Sequence, residues 1–498
     1  MKIKLLYITL CFSFFIPTVK AQTDSTQLDS SVPLKGIIRD YSNNTPLAYA
    51  NIAIQNSSKG SISNEKGFFS IDITGLTFED SLSFQYIGYK TETLSLRQLS
   101  RSQTIFLKEY IQNLNQVFVF GNPLNAKDII KKVLENKDVN YAGGPIKSQT
   151  FIRKKSLSNI DHFQLNYKKS SFSELDETFI ASIPKTIPRH STSYTDFLGH
   201  VYYANNKKDS FQYKISAIKA VSLQDKDVAD VDQLESVFEN LAINTQEKEY
   251  WKVKSGIFGS KIDLNVADTS KEKKGTKMAY FQYYYGEQLK YSTLENEDEW
   301  EFLYSPSKYN YTLLGGTQVN GEDVYIIDFK PNRKGNFVGR VYISILNYAL
   351  IKADYEYDEG KYGTNVNLLG IGYTENVFNA SILFERDADV YRLKYCAKKK
   401  GEKVRIDRNI SFIKKRERFL IDKTLKEVKV GLDISISTIE SFEILVLTRS
   451  QITNQQYNAF TQQEFIEIVY VDQFNDQLWK GLSIIEPTQQ MREYKKME

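Results

Sequence analysis

Between about residues 309 and 435 the apolar side chains recur every second position, and this spacing constrains the fold more than any other feature. The stretch YNYTLLGGTQVNGEDVYIIDFKPN sets two alternating runs on either side of Asn320-Gly321. Successive side chains of a strand point to opposite faces, and Asn-Gly supplies the two positive-φ residues of a tight type I′ turn, so the stretch reads as a hairpin. A second hairpin joins VGRVYISI to ALIKADYEYDE across Leu346-Asn347-Tyr348. VFNASILFE, VYRLKYCAKK, KVRIDRNISFI and KEVKVGLDI then continue a meander. Aromatic rings pack well on a pleated, half-buried surface, and the 33 Tyr and 30 Phe of the chain suit a large sheet whose β signal begins at Met278.

A chain of 498 residues is too long for one ordinary core, so further domains are expected. From Leu34 to about Lys108, brief alternating runs such as KGIIRD, YANIAIQ, FFSIDI and SLSFQYIGY are separated by turn residues, the pattern of a small sandwich. In FFSIDI the two-residue period puts Phe69, Ile71 and Ile73 on one face. Gly67 lets the chain enter that strand with a positive φ.

Those residues carry a resemblance. Gly36-Ile-Ile-Arg-Asp40, Thr45-Pro-Leu-Ala-Tyr-Ala-Asn-Ile52, Gly60 through Phe69 and Tyr86-Ile-Gly-Tyr89 resemble the carboxypeptidase regulatory-like domain, a transthyretin-like seven-stranded sandwich. Asn115-Gln-Val-Phe-Val-Phe120 is similar to the strand that closes this module. The domain also precedes the plug of TonB-dependent outer-membrane transporters and occurs in other envelope proteins of Gram-negative bacteria. The resemblance therefore implies an envelope protein and a non-catalytic module. Beyond Phe120 the chain departs from a transporter, because no plug and no long series of lipid-facing barrel strands appears. The later meander resembles the curved half-barrel of periplasmic lipoprotein carriers and the soluble part of envelope proteins of unknown function.

Between the two β regions, NAKDIIKKVLENKDVN places Ile129, Ile130, Val133 and Leu134 on one helical face with Asn125 as N-cap, so a helix is expected over 126–136. Residues 145–205 read as strands with irregular connections. Val231, Leu234, Phe238 and Leu241 have helical spacing in a polar segment, and the tail NDQLWKGLSIIEPTQQMREYKK reads as one or two short helices packed by Trp479, Leu482 and Ile485. The expected architecture is mainly β with minor α: a seven-stranded β-sandwich, then a large antiparallel, curved, half-barrel-like sheet with a few helices. In domain terms this gives a signal peptide at 1–21, a linker at 22–33 and the sandwich at 34–120. A mixed α/β part of the C-terminal domain occupies 121–277, and the meander with its helical tail occupies 278–498.

The first residues have Lys2 and Lys4, an apolar run from Leu5 to Ile16, Pro17, and a Val19-Lys20-Ala21 cleavage pattern, which is a secretory leader and implies a periplasmic or outer-membrane-associated protein. Cys11 is not a lipidation site by this reading, since Leu10 precedes it where a small residue is needed. Removing residues 1–21 takes away three lysines and no acid, so the formal charge of +4 falls to +1, too little for a nucleic-acid partner. Cys396 is then the one remaining cysteine, which leaves no intrachain disulfide.

The residues offer no linear catalytic motif. His162, His190 and His200 lack the helical-turn spacing of a zinc peptidase, although His190 and His200 could meet in space. Cys396 would need a cationic neighbour to become a nucleophile, and Lys394 and Lys398 share its face at two-residue spacing; a small buried residue is the plainer reading. Gly370-Ile-Gly372 is no dinucleotide loop, and Gly316 through Gly321 reads as a hairpin because Glu322-Asp323 would repel phosphate. The acidic stretch Glu295 through Glu301 reads as a solvated turn, with calcium as the alternative. Neither a catalytic nor a metal nor a cofactor site is expected.

Between Arg392 and Arg418, lysines and arginines far outnumber the acids Glu402, Asp407 and Glu417. The default reading is a solvated hairpin with snorkelling side chains. The functional reading makes Lys398, Lys399, Lys400, Lys414, Lys415 and Arg416 a contact for anionic lipid or for a partner's acidic rim. The function expected from the whole chain is a non-enzymatic, secreted envelope accessory protein that binds an outer-membrane or envelope partner or an amphipathic ligand in assembly or transport. The alternatives are a periplasmic lipid or lipoprotein carrier, and a hydrolase of glycan or peptide working through paired carboxylates.

Overall fold

A computed structural model describes residues 32–494 apart from 58, 101–102, 111–124, 142, 205–212, 225–248, 257, 263–275, 292–293, 320–321, 420, 481 and 483. The leader, the closing strand expected at 115–120, the helical spacing of Val231 to Leu241 and the Asn320-Gly321 turn lie outside the described residues.

The N-terminal region holds seven strands: β1 (Leu34–Asp40), β2 (Asn51–Ile54), β3 (Gly60–Ile62), β4 (Phe68–Ile71), β5 (Ser81–Gln85), β6 (Glu92–Ser95) and β7 (Thr104–Leu107). They form two sheets in the orders β4-β1-β7 and β3-β2-β5-β6, with one parallel pair, β1 and β7. Between the sheets lie Ile38, Ile52, Phe69, Ile71, Leu82, Phe84 and Ile105, and Phe69 meets Phe84 edge to face at 5.5 Å. Gly67 has φ +77°, and a Cβ there would come 2.7 Å from the Ile38 carbonyl, so the turn needs glycine for both conformation and room. The Asn64 carboxamide oxygen closes the same turn by accepting from the backbone N–H groups of Lys66 and Phe68, while its Nδ2 donates to the Glu486 carbonyl of the C-terminal tail.

The remaining strands begin with β8 (Ile146–Ser170), β9 (His190–Tyr203), β10 (Tyr213–Leu223), β11 (Glu249–Ser255), β12 (Phe258–Ile262) and β13 (Thr276–Lys277). Then come β14 (Tyr309–Val319), β15 (Glu322–Pro331), β16 (Phe337–Ser344), β17 (Leu350–Tyr357), β18 (Asn365–Leu368) and β19 (Ile371–Asp387). The series ends with β20 (Val390–Arg416), β21 (Lys423–Gln451), β22 (Phe465–Ile466) and β23 (Val469–Val471). Fourteen of them build one curved, open sheet in the order β14-β15-β16-β17-β19-β20-β21-β8-β9-β10-β23, with β11, β12 and β18 beside that path. Its pairs are antiparallel except β10 with β23.

The middle of this sheet is buried on both faces, and neighbouring residues divide between two cores. Ile152, Phe197 and Ile444 enter the core under the helices, whereas Phe151, Leu198 and Leu445 enter the core that faces the sandwich and the tail. The sandwich docks through Ile62 and through Tyr49, whose ring lies 5.2 Å from that of Tyr395. The tail adds a 3-10 turn at Asp476–Trp479 and a helix at Gln489–Arg492, with Trp479 and Ile485 buried.

The expected helix spans Ala126–Glu135, capped by Asn125, whose side chain accepts from the Lys127 N–H. Other expectations fail for local reasons. The β signal read from Met278 is a helix at Met278–Tyr291, because Met278, Phe281, Tyr285 and Leu289 repeat at helical intervals and bury one face. A second helix, Glu177–Thr186, comes after the N-cap Asp176. VYRLKYCAKK and KVRIDRNISFI are one strand of 27 residues, continuous through Gly401, which leaves room for the Val377 side chain 2.7 Å from where a Cβ would stand.

Candidate functional site: a cavity under the helices and two basic clamps

On the helical face of the sheet a cavity of about 140 Å³ lies between strands β8, β9, β10, β20 and β21 and the segments that cover them. Ile146, Val201, Phe384, Leu393 and Val446 supply apolar wall, and Tyr141, Leu289 and Leu294 close it from above. The rings of Tyr203 and Tyr213 stack at 5.1 Å, and burial pushes the Tyr203 phenol up to about 12. The Tyr141 hydroxyl donates to the Leu350 carbonyl at 2.8 Å and that of Tyr391 donates to Glu322 at 2.6 Å, so these phenols turn their polar ends into the protein. Lys137, Arg392, Arg449 and Glu295 make the polar part of the lining. Arg392 Nε lies 3.1 Å from the Asp387 carboxylate, without the alignment of a hydrogen bond, and Arg449 faces Glu385 at 3.4 Å.

The basic stretch is not the solvated hairpin expected of it. Lys398 and Lys400 both bind Glu299, and Lys398 and Glu299 are only 3% and 6% exposed. Glu299 comes from the acidic stretch read as a solvated turn; its neighbour Trp300 is fully buried against Tyr355. Burial raises the Glu299 carboxyl, but the ammonium groups of Lys398 and Lys400 outweigh it and hold the group below the usual carboxylate range. Fifteen or so residues on, Lys414 and Arg416 share Glu249, at 3.2 and 2.7 Å. Of the six residues singled out, Lys399 is exposed and Lys400, Lys415 and Arg416 are half-buried, while Lys398 and Lys414 are buried. Charges at two-residue spacing in an alternating strand were the available signal for these clamps; nothing local identified their carboxylates.

Lys394 does not share the Cys396 face. A bulge near Leu393 shifts the register between β19 and β20 and places Lys394 beside Gly60 of the sandwich, with Nζ 3.8 Å from Glu385. Cys396 is buried in the core under the helices. His190 and His200 stand ten residues apart on β9, about 30 Å along an extended strand, so they do not meet. His190 pairs with Asn159, and His162 lies 3.4 Å from Asp433. Among the described residues no group of three or more His, Cys, Asp or Glu is arranged to hold a metal ion. A second cleft, of about 600 Å³, is lined by Glu297, Asp298, Glu299, Glu301, Glu375 and Glu402 together with Lys308 and Lys400. Three of those acids already have internal partners: Glu299 in its clamp, Glu301 through Lys308 and the Tyr309 hydroxyl at 2.5 Å, and Glu375 through the Thr364 N–H at 2.8 Å and the Tyr373 hydroxyl at 3.1 Å.

The sandwich defines a class first: residues 34–119 match the family model of the CarboxypepD_reg-like domain. About two thirds of the chain aligns with solved structures. An outer membrane lipoprotein-sorting protein domain from Vibrio parahaemolyticus is 12% identical, with 67% of this chain and 97% of that one covered and a TM-score of 0.19. The Pseudomonas aeruginosa MucA/MucB complex matches at 7% identity, 64% and 93% coverage and a TM-score of 0.18. A LolA superfamily protein from Nitrosomonas europaea matches at 9%, 67% and 98%, with a TM-score of 0.17. No curated protein matches the chain. Among the described residues no helix is long and apolar enough to cross a membrane.

Proposed function

We propose that this chain is a non-enzymatic binding protein of the cell envelope that receives the apolar end of an amphipathic ligand between its curved sheet and the helices above. The observation that carries the reading is the cavity: aromatic and aliphatic walls, the Tyr141 and Tyr391 hydroxyls turned away, and the Lys137 ammonium for an anionic head, Arg392 being already met by Asp387. Buried apolar cavities of ~150 Å³ hold a guest the size of benzene, so this one takes the end of a chain and leaves the rest outside. Envelope location is supported by the regulatory-like sandwich and by the leader pattern in the sequence. In this reading any lipid or partner contact made by the basic stretch falls to Lys399 and Lys415, since Lys398 and Lys400 are held by Glu299 and Lys414 and Arg416 by Glu249. A role in assembly or transport results if the ligand is handed on.

Mass spectrometry of the purified chain after organic extraction is expected to show bound acyl chains, and a fluorescent fatty acid is expected to bind. Ser148→Phe and Val201→Phe, which push rings into the cavity, should abolish probe binding while the thermal transition stays cooperative. An empty wild-type chain that binds no probe sinks the proposal; protein crosslinks in membranes with the cavity still empty would place the chain among assembly partners.

A further inference from the structure

Strands β20 and β21 continue well past the main body and carry a tip that nothing in the body explains. At Asp407 the neighbouring β18–β19 turn, Leu369-Gly370, ends against β20. From there β20 runs to Arg416, about 30 Å at ~3.3 Å per residue. This outer part closes a small core of its own from Phe172, Leu175, Ile180, Ile183, Trp251, Val428 and Val430. Past that core, in the connection from β20 to β21, Phe419 is 100% exposed and Ile421 is 81% exposed. Arg418, Lys423 and Lys426 are exposed around them. The acids in the same connection are Glu417, which is exposed, and Asp422, which accepts from the Tyr250 hydroxyl at 2.5 Å. Lys414 and Arg416, the next cations inward, are answered by Glu249.

We propose that this tip docks on an anionic lipid surface, with Phe419 and Ile421 entering the headgroup boundary and Arg418, Lys423 and Lys426 facing the phosphates. A fully exposed phenylalanine beside a second exposed apolar side chain is costly in water and is recovered in a bilayer interface. The sign of the surrounding charge selects the occupant: over residues 415–426, Lys415, Arg416, Arg418, Lys423 and Lys426 stand against Glu417 and Asp422, with Glu249 and Glu174 brought near Arg416 and Lys426 by other elements, and this excess of cations suits an anionic headgroup layer. The tip belongs to one long hairpin, so it can reach a surface while the body stays clear of it. The tip shares no residue with the cavity lining.

The test is flotation of the full chain with phosphatidylethanolamine vesicles containing phosphatidylglycerol, against phosphatidylcholine vesicles. The wild type is expected to float with the anionic vesicles only. Phe419→Ser with Ile421→Ser should lower partition about tenfold or more. Arg418→Gln, Lys423→Gln and Lys426→Gln together should lower it about a hundredfold in low salt, a factor of about five for each cation. Leu368→Ser with Leu369→Ser, at the exposed turn that stops about 30 Å short of the tip, should change nothing. All these side chains are exposed, so thermal unfolding should match the wild type. Failure of the wild type to float overturns the proposal, as does unchanged binding by the Phe419 and Ile421 variant. Conversion of a dimer to a monomer by that variant also overturns it, by assigning the tip to a second copy.

Discussion

Strand β20 carries one arrangement twice, once in the body and once in the outer lobe. Lys398 and Lys400 share Glu299; Lys414 and Arg416 share Glu249. In each case the two cations are two residues apart and so lie on one face of the strand. The carboxylates arrive differently. Glu299 comes from a turn that leads into the buried Trp300, whereas Glu249 stands directly opposite Arg416 in the β11–β20 ladder. In the body the clamp sits under helices and against Tyr355, in a core shared by much of the chain. In the lobe it borders a core of seven buried residues; the outer cations are alike, Lys400 being 41% and Arg416 43% exposed, so the difference lies in what surrounds each clamp. Identical pairing thus has unequal weight, because an ion pair matters mainly through what is left behind, buried and uncompensated, when one partner goes.

That comparison can be broken at several points. Glu299→Gln leaves the Lys398 ammonium buried without its counter-charge and should cost about 3–5 kcal/mol, lowering the main thermal transition. Because the folded Glu299 carboxyl is held below its unfolded value, its stabilisation is present above the unfolded pKa and is lost as pH falls through the folded one. The wild type should therefore lose stability in acid more steeply than the variant, and parallel acid limbs for the two would contradict the assigned pairing.

Glu249→Gln also leaves a buried ammonium, that of Lys414, but should cost less, about 1–3 kcal/mol, since the small core of the lobe can open locally and let water reach it. The loss should be local: amide exchange speeds up in β11 and the last residues of β20 while the body keeps its protection. Equal loss of protection in the body would show that lobe and body unfold as one unit and would end the distinction.

The smallest effect is expected at Glu443, whose carboxylate accepts from the Tyr395 hydroxyl at 3.0 Å between body and sandwich. Burial raises this carboxyl against the pull of Arg153 and the Tyr395 hydrogen bond. A raised folded pKa gives stability that is complete below the unfolded value and lost as pH rises, the opposite of Glu299. Glu443→Gln should then stabilise the chain by roughly 1 kcal/mol near pH 7 and by nothing below about pH 4. Destabilisation at pH 7 would mean that the ionised form is the one the junction needs.

How much was legible depended on the range of the signal. Asn125 and the apolar face of Ala126–Glu135 were readable because cap and period are local. The helix at Met278–Tyr291 was readable in principle from Met278, Phe281, Tyr285 and Leu289, but its tyrosines and phenylalanines have strand preference, and packing on Phe197 and Phe442 decides the matter. The strand through Gly401 was divided in reading because a glycine among charges looks like a turn; in the fold that glycine makes room for Val377. Of the cavity, single wall residues such as Tyr391 and Leu393 were visible as parts of a strand, and their convergence with Tyr141 and Leu289 was not.

By itself the order of residues determined the sandwich, the turn at Asn64–Gly67 that opens β4, and the alternation of the long meander. Each of these rests on steric and hydrogen-bonding preferences within a few residues. Tertiary structure alone decided which lysines became internal counter-ions and which stayed in water. Lys398 and Lys399 are adjacent and chemically identical, yet one meets Glu299 and the other faces solvent. The reason is that desolvation depends on what packs above a residue, and here the carboxylate that makes burial tolerable lies about a hundred positions away in the chain.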